Sequence, residues 1–392
     1  MIYLISAIGL IFMSNLIAMF VISSVDIVSY VDVMVICRQL AEAPDQCSSA
    51  AQSVGWIGCI SSVILILLLL AANRRFPGAP KFRRVGGAAF AVFIPLIVAT
   101  AWFHLLIELR SPWPMYREEI FKEYASALSL GNLLWPLCLQ LAINAEERKW
   151  RVLFLAALAP IVAASPFRGV LFAVAVFGIS LPSLDYAIRQ VQIFGVWSKQ
   201  AAIYGVTIST VVLAMVFQLG LETKERPTDL KTQGGLSAQI AGKLGQRIAI
   251  PLFQAEYAGA HSLDPHMPSL VEETLSKLRL RSGTSSNGYL YAKSHGGATY
   301  GETTSLFSGE ALLRTTSHPL IWSVVAPFLL ILVWIGLRAI GYDAGVLIGV
   351  AIWRGSLGGV IGILPSLAIQ LGLFVVLCRI FGKLTTTVDA NG

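Results

Sequence analysis

Hydrophobic residues gather along this chain in long runs separated by short polar stretches. The runs are Ile2–Ile22, Val54–Ala72, Gly87–Leu109, Ala127–Ala145, Val152–Ala164, Gly169–Ala187, Ala201–Leu219, Pro319–Leu337, Gly345–Ile352 and Gly358–Ile380. Most approach the roughly 20 residues that a helix needs to cross a bilayer. Two are short. The fifth ends at Ser165-Pro166-Phe167-Arg168-Gly169 and the ninth at Trp353-Arg354-Gly355, so each also fits one half of a hairpin that dips in and returns. The pattern predicts an all-α, polytopic membrane helix bundle of about ten spans with one large polar loop. It divides into an N-terminal bundle (1–219), the loop (220–318) and C-terminal helices (319–392). The first run lacks a basic flank and a small-residue cleavage site, and is expected to be a retained span.

Charge then orients the runs. Short cytoplasmic loops collect Lys and Arg. Arg74, Arg75, Lys81, Arg83 and Arg84 crowd one loop, Arg148, Lys149 and Arg151 another, and Arg189 and Lys199 flank a third. The intervening loops are poorer in cations, and the alternation predicts both termini on the cytoplasmic side. The long segment 220–318 then falls outside, where its ten Lys and Arg escape the bias that governs short loops. Within it, Leu236 to Ala260 and Leu270 to Leu280 read as amphipathic helices against the membrane. Ser282–Gly288 reads as a flexible connector.

Composition agrees with a lipid environment. The chain is 56% hydrophobic and 13% charged, with a mean hydropathy of +0.71, whereas soluble domains carry about 25% charged residues. The net charge of +7 is spread through loops between apolar runs, so no nucleic-acid partner is expected. Cys59, Cys138 and Cys378 fall in apolar segments as packing residues. Cys37 and Cys47 share a polar loop and would form a disulfide if that loop faces an oxidising compartment. No cysteine or histidine spacing calls for a metal.

Absences narrow the chemistry. Gly242-Lys243 is followed by Leu244 and lacks the upstream glycine of a phosphate-binding loop, so nucleotide-driven pumping is not expected. Neither a zinc-protease motif nor a nucleophile elbow occurs. Few acidic residues lie deep in the runs, which argues against a proton- or cation-coupled carrier. What remains are arginines beside span ends: Arg168 in the Pro-Phe-Arg-Gly break, Arg247 in Gly245–Leu252, and Arg314 in Gly309–Arg314. A guanidinium forks onto phosphate oxygens, so converging arginines suit a lipid-linked pyrophosphate. Snorkelling to headgroups is the competing reading for each one. A second group runs from Tyr289 to His318. There Glu310, His295 or Glu302 could take a proton from a sugar hydroxyl, and Tyr291 and Tyr300 could hold the sugar, against the alternative of an ordinary solvated loop.

With these residues in view, the chain resembles the Wzy-type O-antigen and exopolysaccharide repeat-unit polymerases of the wider polymerase and ligase superfamily. The resemblance rests on Ser165–Gly169, on Gln246-Arg247-Ile-Ala-Ile250, and on Thr303–Glu310 leading into a span. In some members an Arg precedes a Gly at one fixed spacing in two outer loops. Arg168 with Gly178 and Arg247 with Gly259 do not share one. The resemblance implies a cofactor-free, metal-independent glycosyltransferase of the bacterial inner membrane. It would join undecaprenyl-pyrophosphate-linked oligosaccharides into lipopolysaccharide O-antigen or exopolysaccharide on the periplasmic face, with membrane lipids around it and a chain-length regulator as partner. Arg168, Arg247 and Arg314 would neutralise the pyrophosphate, and Glu310 or His295 would activate the acceptor. An O-antigen ligase, a transporter of the lipid-linked glycan and an inactive assembly partner are the competing expectations.

Overall fold

A computed structural model describes residues 1–24, 37, 44–75, 81–110, 125–164, 172–194, 199, 201–207, 209–210, 249–253, 255–256, 319–358 and 360–386. Helix occupies described residues in each of the ten apolar runs. The main helices are α1 (Ile2–Ser24), α2 (Pro44–Arg75), α3 (Ala88–Ala91), α4 (Ile94–Arg110), α5 (Ala125–Ile143) and α6 (Arg148–Ala164). A wider-wound π turn, Val174–Ser180, leads into α7 (Leu181–Phe194), followed by α8 (Pro319–Ala339), α9 (Gly345–Gly358) and α10 (Val360–Phe381). Among the described residues, four helices are long and apolar enough to cross a membrane: Ile2–Ser24, Asp45–Arg75, Pro319–Ala339 and Ile363–Phe381. Ala88–Trp102, Leu133–Ile143, Val174–Ile188 and Gly345–Ser356 are apolar but shorter.

The surface is apolar and the interior carries polar groups, the reverse of a water-soluble domain. Val98, Trp102, Leu67 and Ile321 are each 60% exposed or more, an arrangement that water would penalise and lipid favours. Inside, Asn15, Ser61, Ser62, Gln140, Asn144, Ser323 and Gln370 are buried. Most bond to backbone: Ser61 and Ser62 donate to the Gly58 carbonyl and Asn15 to that of Ile11. Pro136, Pro327 and Pro365 sit inside helices, tolerated where neighbouring helices supply replacement partners. Near Pro136, Gln370 Nε2 of α10 donates to the Leu133 carbonyl of α5 at 2.6 Å.

Among the described residues, the expectation of an all-helical chain has one exception. Strand β1 (Lys81–Val85) pairs antiparallel with β2 (Gly382–Thr386), Lys81 opposite Thr386 and Val85 opposite Gly382. Helix ends gather around this ribbon. Val85 N–H donates to the Asn144 carbonyl after α5, Arg83 N–H to Gly341 after α8, and Gly86 N–H to Phe381 at the end of α10. Arg338 donates to Asn73 Oδ1 at 3.0 Å and lies over Trp334, while Arg83 lies over Tyr342. The cations at 81–84 and 148–151 and the C-terminal end of α10 thus form one basic platform.

Helix α9 is the axis of the bundle. Val346 to Ile352 are buried on every side, as expected of a helix that is apolar all round. It packs against α1, α5, α8 and α10, and Phe177 of the π turn meets it at Gly349 and Trp353. Gly349 allows the approach to α1, since a Cβ there would sit 3.0 Å from the Tyr3 carbonyl oxygen. Farther along α1, a Cβ at Gly58 would meet Asn15 at 2.5 Å, so α2 crosses α1 at a small-residue contact.

A second apolar cluster lies at the far end of α1 and α2. Ala18, Met19 and Ile22 meet Cys47, Ala51 and Val54, together with Ala249, Leu252, Phe253 and Ala255 from the large loop. Cys37 and Cys47 are joined in a disulfide with Cα atoms 5.7 Å apart. The bond that the sequence made conditional on compartment is present. The helical stretch at 249–253 docks on protein rather than standing apart from the bundle.

Candidate functional site

Glu310, His295, Glu302, Arg168, Arg247, Arg314, Tyr291 and Tyr300 all lie outside the described residues. Described residues lie beside two of the three motifs. After Arg247, Ala249, Leu252, Phe253 and Ala255 belong to the disulfide-bearing cluster, where Leu252 lies against Gly55. Gly55 is twenty residues from Arg75, or about 30 Å along the helix. The break containing Arg168 lies between Ala164, at the end of α6, and Phe172. Helix α6 starts beside the basic platform and runs about 25 Å away from it.

Phe172 introduces a side-chain group that the sequence did not assemble. Its ring lies 5.6 Å from that of Trp353, and Phe177 of the π turn lies 6.5 Å from the same ring. The next residue, Arg354, is half-buried and holds its guanidinium 5.9 Å from the centroid of Trp135 on α5. Trp135 is buried, and its indole N–H finds no acceptor. Buried Trp N–H groups ordinarily find partners. The π turn matters here because its extra residue rotates the helix locally, and such turns recur at functional sites.

The other end of α9 is a closed network. The α8–α9 turn uses Gly341 at φ 89°. There Gly341 N–H bonds the Arg338 carbonyl and Tyr342 N–H the Leu337 carbonyl, the usual glycine-terminated helix end. Asp343 then caps α9: its Oδ1 accepts from Gly345 N–H at 3.2 Å and from Trp334 Nε1 at 3.1 Å. Gln140 Oε1 accepts from the next two N–H groups, Val346 and Leu347, both at 3.0 Å. Gln140 Nε2 donates to Asn144 Oδ1 and to the Asp343 carbonyl, which Asn144 Nδ2 also reaches. Three of the N–H groups that a helix start leaves open are therefore satisfied.

The two sets differ in chemistry. The network at the base of α9 balances donors against acceptors and holds structure. The upper set places the Arg354 guanidinium over the ring of Trp135, whose buried N–H has no acceptor. Among the described residues, no group of three or more His, Cys, Asp or Glu could hold a metal ion. The sequence signal for the upper set is the arginine in the Trp353-Arg354-Gly355 stretch that ends the ninth run. Its pairing with Trp135 crosses 219 positions and has no sequence signature.

Comparison with protein-family models, with curated proteins and with solved structures finds no match for the chain.

Proposed function

We propose that this chain is a membrane glycosyltransferase that polymerises undecaprenyl-pyrophosphate-linked oligosaccharide repeat units on the periplasmic face of the bacterial inner membrane. The observation that carries the reading is the polarity of the bundle. Cations collect around the β1–β2 ribbon at one end, while the Cys37–Cys47 disulfide and the residues just after Arg247 lie at the other. Positive loops favour the cytoplasm and disulfides an oxidising compartment, so two independent signals give one orientation. In it, ten spans put both termini inside and the 220–318 loop outside. The Ser165–Gly169, Gln246–Ile250 and Thr303–Glu310 motifs supply the polymerase assignment. The sugar–pyrophosphate bond carries the energy, so no nucleotide is needed. Arg168, Arg247 and Arg314 stabilise the leaving pyrophosphate as its charge grows. Glu310, His295 or Glu302 takes the proton of the acceptor hydroxyl, and Tyr291 and Tyr300 orient the sugars.

The test is the envelope glycan ladder of a strain lacking the gene, complemented with wild type, Arg168→Ala or Arg247→Ala. The reading expects lipid A-core capped by a single unit in the null strain, and no ladder from either variant at normal membrane levels. Polymer that accumulates unattached identifies a ligase, and a full ladder in the null strain removes both. One observation favours a second reading. Near the end of α9, the Arg354 guanidinium turns to the ring of buried Trp135 on α5, a cation directed into the bundle as a transporter of the lipid-linked glycan would require. Purified protein that elongates lipid-linked units in detergent excludes transport as the sole activity.

A further inference from the structure

We propose that the β1–β2 ribbon and the helix ends around it form a docking surface for the phosphate headgroups of anionic phospholipids, in the leaflet that this end of the bundle meets. The surface lies at the opposite end of α2 from the disulfide-bearing cluster and stands apart from the glycosyltransferase reading.

The ribbon concentrates positive charge that the fold does not neutralise. In its register Arg84 stands directly opposite Lys383, and like charges so placed destabilise a strand pair. A two-stranded ribbon is marginal even without that cost. Arg84 donates to the Ile143 carbonyl at 3.2 Å, whereas Lys383 is exposed, as is Arg379 in the last turn of α10. Among the described residues, neither Lys383 nor Arg379 pairs with a carboxylate. Glu147 is taken by Lys149 at 2.6 Å, and Asp343 Oδ1 by two N–H groups. Glu146, exposed beside Gly86, is one carboxylate against these cations.

Two further cations are held in place by rings. Arg338 lies 5.1 Å from the centroid of Trp334 and 5.8 Å from that of Phe82 in β1, with Nη1 donating to Asn73 Oδ1. Asn73 precedes Arg74 and Arg75, both exposed, so Arg338 ties the cationic end of α2 to the ribbon. Arg83 lies 5.7 Å from the centroid of Tyr342. A guanidinium whose plane is already fixed has less freedom to lose when it forks onto phosphate oxygens.

Apolar neighbours identify the occupant as lipid. Ile340 in the α8–α9 turn is 65% exposed, Ile380 beside Arg379 is 66% exposed, and Leu384, opposite Arg83 in the ribbon, is 55% exposed. Water penalises such side chains and acyl chains do not. Trp334, Tyr342 and Trp150 lie under Arg338, Arg83 and Lys149, an aromatic level of the kind that marks a membrane boundary. A nucleic acid or an acidic protein would meet the cations but leave the apolar residues in water. A phospholipid meets both, its phosphate taking the charge and its chains the apolar residues.

The experiment counts the lipids that the full-length protein retains in native mass spectrometry, from detergent micelles holding equal amounts of phosphatidylglycerol and phosphatidylcholine. Wild type is expected to retain phosphatidylglycerol in preference. Lys383→Gln and Arg379→Gln are each expected to lower that preference about fivefold, the scale of one Lys or Arg beside an anionic surface. Neither should move the unfolding midpoint in phosphatidylcholine, which a structural role would do. Arg338→Lys keeps the charge and loses the fork, and is expected to give a smaller loss of preference. Should it fail to fold, the two exposed positions carry the comparison. Lys199→Gln removes one exposed charge outside this surface and is expected to keep the wild-type preference. Equal retention of the two lipids by wild type overturns the surface, as does an unchanged preference in both Lys383→Gln and Arg379→Gln. An equal loss in Lys199→Gln overturns the ribbon as its place. Displacement of the retained phosphatidylglycerol by an equimolar single-stranded oligonucleotide overturns lipid as the occupant.

Discussion

The two ends of α9 handle buried polar groups in opposite ways. At its start, Gln140, Asn144 and Asp343 satisfy one another and the open backbone N–H groups of the helix. About two and a half turns later, Arg354 overlies Trp135, whose N–H is buried without an acceptor. In an apolar medium a closed network holds helices in register, whereas an unsatisfied donor is a cost that structure alone does not repay. The difference separates a network whose partners all lie in the fold from a buried indole N–H that has none. It also predicts which substitutions should damage folding most and which least.

The largest effect belongs to the closed end. Gln140→Leu strands the buried N–H groups of Val346 and Leu347. At about 1–3 kcal/mol for each stranded group, the loss is expected to be about 4 kcal/mol, read as a collapse of the thermal unfolding midpoint in detergent. A midpoint unchanged from wild type would break the comparison. Next comes the covalent tie at the far end of α2. Cys47→Ala opens a loop of ten residues, worth about 2–3 kcal/mol by loop-closure entropy. A reductant should lower the wild-type midpoint equally and leave the variant unmoved.

Asp343→Ala removes a helix cap and the partner of Trp334. It is expected to cost about 1–2 kcal/mol, with Asp343→Asn recovering part of the loss. The smallest effects sharpen the contrast. Trp135→Phe deletes a donor that has no partner, so the thermal unfolding midpoint should report a stability change of no more than about 0.5 kcal/mol. A large loss of stability would move Trp135 into the structural class. The exposed Lys149–Glu147 pair at the platform offers a baseline, with Lys149→Ala expected within about 0.5 kcal/mol of wild type.

Several elements were legible before any coordinates. The apolar runs marked the helices to within a few residues: Ile2–Ile22 became Ile2–Ser24, and Pro319–Leu337 became Pro319–Ala339. Run length works because a helix in lipid must satisfy its own backbone and must be apolar throughout. Where polar residues extend a helix, the signal fails. The run Val54–Ala72 is the middle of a 32-residue helix that begins at Pro44. The run Gly169–Ala187 conceals a π turn and a change from apolar to amphipathic helix. The ribbon of β1 and β2 was invisible because its strands are nearly 300 positions apart and one is a basic loop.

The sequence by itself determined the environment and the grain of the molecule. It gave a helical chain with apolar runs long enough for lipid, cations confined to particular loops, and a cysteine pair close enough along the chain to bond. Those properties are local, set by side-chain transfer energies and by short chain distances. Only the tertiary structure decided that Gln140 caps a helix more than 200 positions away, that Arg338 reaches Asn73, and that Arg354 rests on Trp135. A polar side chain in an apolar run looks the same whether a neighbour will satisfy it or a ligand must. The distinction lies in which helix packs beside it.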